Sequence, residues 1–183
     1  QIPIIEGNQS LAYTVAPVNE QKYMVFKTTQ APMANPLVRK AIAYAIDVDT
    51  IIESIMDGNA VKADCWLAQT CTNYSVCDDF IRYDPDMAKQ LLAEAGYPNG
   101  AGLPTLTYIT STGFYPKTKE YGEYIVSCLN EIGINVDFQP KESASWSEAL
   151  YAEDSCHMID TGWMIGNEDN EMLATCFNAP HAL

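Results

Sequence analysis

Residues 83–97, which read YDPDMAKQLLAEAGY, decide the fold of this 183-residue chain. Asp84 can cap a helix whose first residue is Pro85, a position where the missing N–H of proline costs nothing. Gly96 can end the same helix, and Pro98 prevents it from resuming. The apolar residues in between recur at three- and four-residue spacing, as on a helix that buries one face: Ala88, Leu91, Leu92 and Ala95.

A second stretch upstream has the same design. Residues 35–47 read NPLVRKAIAYAID, so Asn35 can cap a helix that begins at Pro36 and buries its apolar stripe. Another helix follows at once, with Asp47 or Asp49 as its cap. The spacing of Thr50 and Glu53 is typical of a capping box, and Gly58 can terminate the helix.

Strand patterns alternate with helices through the rest of the chain. We predict strands at Tyr23–Phe26, Thr105–Thr110, Ile134–Phe138 and His157–Thr161, with an extended segment before them at Ile2–Val18. Helices are predicted over Pro116–Ile132 and from Ser145 onwards. Strands that alternate with helices favour an α/β fold, with a mostly parallel mixed sheet flanked by helices.

The charge balance is strongly acidic. Ten Lys and Arg residues stand against 24 Asp and Glu residues, which gives a formal net charge of −14. Such a surface repels phosphate backbones, so nucleic acid is excluded as a partner. No apolar run approaches the roughly 18 residues that a membrane helix requires.

Three of the six cysteines lie close together in the polar stretch 60–79, which we name the cysteine loop: Cys65, Cys71 and Cys77. Crowded cysteines in a polar loop are typical of a surface segment held by a disulfide in an oxidising compartment. We therefore predict one bridge among these three residues, without a full connectivity for all six. A zinc site is the alternative, although the spacing lacks the short Cys-x2–4-Cys motif.

No catalytic motif is present. The sequence has no G-x-S-x-G, H-E-x-x-H or phosphate-loop pattern, and its only histidines are His157 and His181. His157 opens a predicted strand, which favours a structural role over that of a general base. The sequence therefore predicts a protein that is not an enzyme and needs no cofactor or metal.

The two helical stretches together resemble one known family. Residues 35–47 are similar to the VR-x-A-[IL]-x-x-A-[IL]-D-R helix of the family 5 extracellular solute-binding proteins of ABC importers. Residues 83–97 resemble the YDP-x-x-A-K-x-LLAEAG-[YF] helix of the same family. Phe26 to Thr29 stands where the family has its F-N-T strand, and residues 132–136, IGINV, match its [IL]-G-[IV]-x-V segment.

The resemblance implies a lobe of the type II periplasmic-binding-protein-like fold. It divides the chain into a linker segment at residues 1–22, the second lobe at residues 23–163 and a return toward the missing amino-terminal lobe at residues 164–183. It also implies an extracellular or periplasmic protein, anchored as a lipoprotein in its precursor, that captures a solute and delivers it to a membrane permease. A ligand-sensing ectodomain of a signalling protein with the same fold is the alternative.

The resemblance also indicates where a ligand would bind. Peptide-binding members read G-W-x-x-D-x-x-[ED]-P after the last strand of this lobe, whereas residues 162–170 here read GWMIGNEDN. Gly166 thus stands where those members carry the carboxylate that pairs with the amino terminus of a peptide. Peptide is the first solute class expected, ahead of sugar, opine-like and metal-chelate solutes. The candidate ligand-binding residues from this strip are Trp163, Met164, Gly166, Asn167 and Asp169. Loops that follow the carboxyl ends of parallel strands bind ligands in open α/β sheets, which adds Trp66 of the cysteine loop and Phe114 and Tyr115 after a predicted strand.

Overall fold

A computed structural model describes residues 2–71, 74–77 and 80–164. Two short helical turns lie at Ile51–Ile55 and Pro98–Gly100. The described helices are α1 (Ile2–Glu6), α2 (Pro36–Ala45), α3 (Val48–Thr50), α4 (Pro85–Glu94), α5 (Thr118–Glu131) and α6 (Ser143–Tyr151). The described strands are β1 (Glu20–Phe26), β2 (Leu106–Thr112), β3 (Val136–Glu142) and β4 (Met158–Met164).

One sheet lies at the centre of this part of the chain, with the strand order β1-β4-β2-β3. β2 runs parallel to β3 over its whole length and parallel to β4 over two residue pairs. β1 is antiparallel to β4, with Glu20 opposite Met164 and Phe26 opposite Met158. The predicted α/β fold with a mostly parallel mixed sheet is therefore confirmed, and the antiparallel strand lies at one edge.

The two faces of the sheet bury separate apolar clusters, because neighbouring residues of a strand point to opposite faces. Tyr108 and Met158 pack with α2, α4 and α5 on one face. Ile109 and Ile159 pack with α6 on the other. Within the described residues, no helix has the length and apolar character that a bilayer crossing needs.

The helix starts follow from local chemistry. Asn35 Oδ1 accepts the N–H of Leu37 at 2.9 Å, and Asp84 Oδ1 accepts the N–H of Met87 at 2.9 Å. Asp47, rather than Asp49, caps the next helix by accepting the N–H of Thr50 at 3.1 Å. These three caps satisfy N–H groups that have no partner inside a helix.

Several predicted boundaries differ from the structure, since β2, β3 and β4 each continue past the predicted strand end and α5 begins at Thr118 rather than Pro116. Two further differences concern the starts of helices. The stretch expected to be extended opens with α1, whose Pro3 lies in the first turn, where a helix tolerates proline. The helix expected from Ser145 begins at Ser143, directly after β3, and no side chain caps its start. The Ser145 to Glu148 spacing therefore does not act as a capping box.

The structure shows no disulfide among Cys65, Cys71 and Cys77, so the predicted bridge finds no support in it. Cys71 is buried with Leu67 and Ala68, and Cys65 packs against the same small cluster, where a thiol serves as a small apolar group. Hydrogen bonds close the loop instead. The hydroxyl of Tyr74 donates to the Asp64 carboxylate at 2.7 Å, and the N–H of Cys77 donates to the Asp64 carbonyl at 3.0 Å.

His157 joins the amino-terminal ends of β2 and β4 to the carboxyl end of β1. Its Nδ1 accepts the N–H of Thr107 at 2.9 Å, and its own N–H donates to the Thr107 carbonyl at 3.0 Å. Its carbonyl accepts the N–H of Lys27 at 3.1 Å. An Nδ1 that accepts must be unprotonated, and burial lowers the pKa of His157 below its ordinary value.

We expect this histidine to make folding stability depend on pH. The unfolded chain binds a proton near pH 6.5, whereas the folded chain binds it only at lower pH, so the free energy of unfolding falls as the pH drops through that interval. The variant His157→Asn keeps an acceptor oxygen but does not titrate in this range. In urea unfolding, its free energy of unfolding should fall less between pH 7.5 and pH 5.0 than that of the parent. His181→Asn is the control, and an equal effect of that substitution would assign the pH dependence elsewhere.

Candidate functional site

The sheet splits between β2 and β4 at its carboxyl edge. Parallel pairing of the two strands ends at Ile109 and Ile159, although β2 continues to Thr112 and β4 to Met164. The last residues of β4 therefore have a backbone edge without a neighbouring strand. In open α/β sheets, ligands bind in the crevice outside the carboxyl ends of the strands.

Two aromatic side chains replace the missing strand pairing. Trp146 of α6 donates its Nε1–H to the carbonyl of Asp160 at 3.0 Å. The hydroxyl of Tyr115 accepts the N–H of Gly162 at 3.0 Å and donates to the carbonyl of Gly162 at 3.2 Å. These bonds satisfy backbone groups that would otherwise lose their partners, so the split is a stable feature of the sheet.

A cleft of about 290 Å³ opens at this split. Every side chain that lines it is uncharged, and six of the lining residues are aromatic. We call it the aromatic cleft. Its lining residues are Tyr23, Phe114, Tyr115, Ser143, Trp146, Ser147, Leu150, Tyr151, Thr161, Gly162 and Trp163.

Three of the rings pack against each other. Phe114 stacks on Trp146, with ring centroids 5.4 Å apart and an angle of 28° between the planes. Tyr115 meets Phe114 edge to face at 4.7 Å and Trp146 at 6.1 Å. Gly113 has φ +82° and lets the chain turn sharply after β2, which places Phe114 and Tyr115 over the end of the sheet.

A charged group lies behind the wall of the cleft. The Nζ of Lys22 sits 3.0 Å from the ring centroid of Tyr115 and 3.7 Å from Oδ2 of Asp160. Gly162 makes room for this arrangement, because a Cβ there would lie 3.0 Å from Cδ of Lys22. The hydroxyl of Tyr121 also donates to the carboxylate of Asp160, a residue that is only 5% exposed.

Burial governs the titration of this group. It lowers the pKa of Lys22 to about 8, although the negative charges of Asp160 and Glu20 act in the opposite direction. Burial also raises the pKa of Tyr121 and of Tyr108, and in both cases the nearby Asp160 charge adds to the shift. At neutral pH the wall therefore contains one cation close to a buried carboxylate, with neutral tyrosines around them.

Trp163 separates the cleft from the cysteine loop. It packs against the cluster of Leu67, Ala68 and Cys71 and lines the cleft beside Gly162. Its Nε1 is buried and has no hydrogen-bond partner within residues 2–71, 74–77 and 80–164. An indole N–H is a donor only, so a ligand that presents an acceptor oxygen would satisfy it.

The structure brings together three of the residues singled out from the sequence. Phe114, Tyr115 and Trp163 line the aromatic cleft. Met164 is 69% exposed at the end of β4, outside the lining. Trp66 also lies outside it and meets Phe80 edge to face at 6.4 Å. Gly166, Asn167 and Asp169 fall outside the described residues.

Sequence reasoning missed the contribution of α6. Trp146, Leu150 and Tyr151 all lie on this helix and line the cleft. The rule that ligands bind near the carboxyl ends of parallel strands pointed to the end of β3. However, α6 begins there without an intervening loop, and none of its residues was singled out from the sequence.

Residues 1–181 match the family described as bacterial extracellular solute-binding proteins, family 5 middle. The chain belongs to this family. The family 5 assignment confirms the resemblance noted in the two helices of residues 35–47 and 83–97. Its members are solute-binding proteins rather than enzymes.

Relatives of this family 5 chain have several named ligands. The glutathione-binding protein GsiB of Pectobacterium atrosepticum is 29% identical over 167 residues, which cover 89% of this chain and 32% of GsiB. Heme-binding protein A of Haemophilus influenzae is 36% identical over 115 residues, which cover 63% of this chain and 21% of that protein. The chain thus spans about a third or less of the length of these relatives.

Solved structures agree with the fold. A dipeptide-binding protein from Pseudoalteromonas sp. in complex with Met-Leu has a TM-score of 0.79 and 26% identity, covering 90% of this chain and 32% of that one. DppA from Helicobacter pylori in complex with the peptide STSA has a TM-score of 0.75 and 30% identity, covering 90% and 31%. The family 5 chain therefore has the fold of part of these larger proteins.

Proposed function

We propose that this chain is the second lobe of an extracellular solute-binding protein, which captures a peptide and delivers it to the permease of an ABC importer. Residues 23–163 form the lobe in this proposal, and residues 1–22 and 164–183 lead to the missing amino-terminal lobe. The precursor would be held at the membrane as a lipoprotein. The observation that carries the proposal is the aromatic cleft at the split edge of the sheet, in a chain of this family.

The polar groups of the cleft support a peptide as the solute. The buried indole N–H of Trp163 requires an acceptor, and a peptide carbonyl is one. Ser143 and Ser147 add hydroxyl groups to the lining, which can donate or accept. Two structures similar to this chain are peptide complexes, with Met-Leu and with STSA.

A single lobe offers only one wall of such a site. Two-lobed binding proteins close on their ligand by a hinge motion, and closure supplies much of the contact. In this proposal the residues that follow Trp163 also contact the solute, and they include Met164, Gly166, Asn167 and Asp169. We accordingly expect the full-length protein to bind the solute far more tightly than residues 1–183 alone.

A thermal-shift screen of the full-length protein tests the proposal. Short peptides, oligosaccharides and nickel chelates should be compared at equal concentration, and we expect only peptides to raise the melting temperature. A ligand present at 100 times its Kd stabilises the folded state by about 2.7 kcal/mol. For an unfolding unit of 150–250 residues this corresponds to a rise of roughly 5–10 °C, and for the larger full-length protein to a smaller rise.

Two results would contradict the proposal. If oligosaccharides or nickel chelates raise the melting temperature and peptides do not, the protein imports another class of solute. In that case Gly166, which stands where a peptide-binding carboxylate is expected, becomes the first residue to examine. If no compound has an effect on a folded full-length protein, solute binding itself is in question.

A further inference from the structure

Phe114 presents an unusually exposed ring at the mouth of the aromatic cleft. Trp146 stacks on the ring and Tyr115 meets its edge, yet 58% of the Phe114 surface remains exposed. Tyr151 of α6 lines the same cleft and is 67% exposed. Exposed apolar side chains that cluster at a concave site mark surfaces that bind a partner or a ligand.

The ring of Tyr115 is not available to a cationic occupant of the cleft. Aromatic rings attract cations, but the ring of Tyr115 already carries the ammonium of Lys22, 3.0 Å from its centroid. The ammonium therefore blocks that face of the ring to a second cation. Its own charge is balanced by Asp160 at 3.7 Å and by the nearby Glu20, so it offers little attraction to an anion.

The size of the cleft limits what it can enclose. Its volume of about 290 Å³ lies at the lower end of the ~300–1,000 Å³ that small-molecule sites occupy. One ring-bearing side chain fits such a space, whereas a larger ligand would extend beyond it. An uncharged planar group would gain most there, because it can stack on the free surface of Phe114.

We propose that the aromatic cleft is a specificity subsite for an aromatic group of the solute, which stacks against the Phe114–Trp146 pair. This inference rests on the proposed function, since it names the class of solute side chain that the same site prefers. The neutral lining, the exposed ring and the occupied face of Tyr115 each point to that class. Tryptophan, phenylalanine and tyrosine side chains are the expected occupants.

Calorimetric titration of the full-length protein with three matched tripeptides tests the inference. Ala-Phe-Ala should bind about tenfold more tightly than Ala-Leu-Ala, and Ala-Ala-Ala should bind most weakly. The variant Phe114→Leu keeps an apolar side chain and loses the ring, so the preference for Phe over Leu should fall to about twofold. Tyr83→Leu replaces a ring that is also exposed, at 41%, but lies outside the cleft, and it should leave the preference unchanged.

The outcomes separate this inference from the proposed function. If the three peptides bind alike, or if Phe114→Leu weakens all of them equally, the aromatic subsite is refuted while peptide binding stands. If no peptide binds, N-acetyl-tryptophanamide decides the matter. Binding of this amide that Phe114→Leu abolishes supports the subsite and refutes peptide import, and absence of binding refutes both. Tighter binding of choline than of the amide would show a cation site instead.

Discussion

Replacing Gly133 with alanine should lower the free energy of unfolding by about 3 kcal/mol. Gly133 has φ +90°, and a Cβ there would lie 2.2 Å from the carbonyl oxygen of Asn99 and 2.5 Å from its carbon. A non-glycine residue in left-handed backbone costs about 1–2 kcal/mol. Moving the packed turn at Asn99 aside costs about as much again, as in an overpacked core.

The contact joins two turns at the amino-terminal end of the sheet. The turn at Pro98–Gly100 follows α4, and Gly133 lies between α5 and β3. Gly100 faces the same contact, since its Cβ would lie 1.8 Å from the Gly133 carbonyl oxygen. Because this contact is remote from the aromatic cleft, the substitution should reduce stability without changing ligand preference.

Gly96→Ala provides the matched control for urea unfolding. Gly96 has φ +94° at the end of α4, but its Cβ would have no atom within 4 Å. Alanine at this position therefore costs only the strain of left-handed backbone, about 1 kcal/mol. Equal losses for the two variants would show that the collision with Asn99 is relieved at no cost and that the close approach of the turns does not stabilise the fold.

The helices could be predicted from the sequence because local chemistry decides them. Asn35, Asp84 and the prolines that follow them act within three residues along the chain, and the structure places each in its expected cap. The cysteine loop shows where such reasoning fails. Spacing in the sequence does not reveal that Cys71 is buried beside Leu67 while Cys77 stays exposed.

The candidate site could be predicted only in part, since it depends on contacts between distant segments. Trp163 was found through the family resemblance, and Phe114 and Tyr115 were found because they follow a predicted strand. The point at which β2 and β4 separate has no local signature. It depends on Trp146, from another element, which donates to a backbone carbonyl 14 residues further along the chain. Lys22 gave no signal either, because it falls in the predicted linker segment, where a lone lysine is ordinarily solvated.

Asp160→Leu should lower the free energy of unfolding by about 2–3 kcal/mol at pH 7. The substitution leaves the ammonium of Lys22 without its carboxylate and the hydroxyl of Tyr121 without its acceptor. Removing one partner of a fully buried pair costs about 3–5 kcal/mol. The side chain of Lys22 is 38% exposed, so water screens part of the lost interaction and the expected cost is smaller.

A double-mutant cycle separates the ion pair from the packing. Lys22→Met combined with Asp160→Leu removes both charges, so it should recover at least half of the loss seen in Asp160→Leu. Asp160→Asn keeps an acceptor for Tyr121 and should cost less than Asp160→Leu.

The pH dependence gives an independent check, because Lys22 has a pKa of about 8 and loses its charge above that pH. The pKa of Lys22 is lower in the folded protein than in the unfolded chain. The free energy of unfolding of the parent protein should therefore rise between about pH 8 and pH 10. Above about pH 8 a neutral Lys22 has no ion pair with Asp160 to lose, so the penalty in Asp160→Leu should shrink from pH 7 to pH 9.5. A penalty that stays constant with pH, together with no recovery in the double variant, would show that the Asp160 carboxylate stabilises the wall of the cleft through Tyr121 alone.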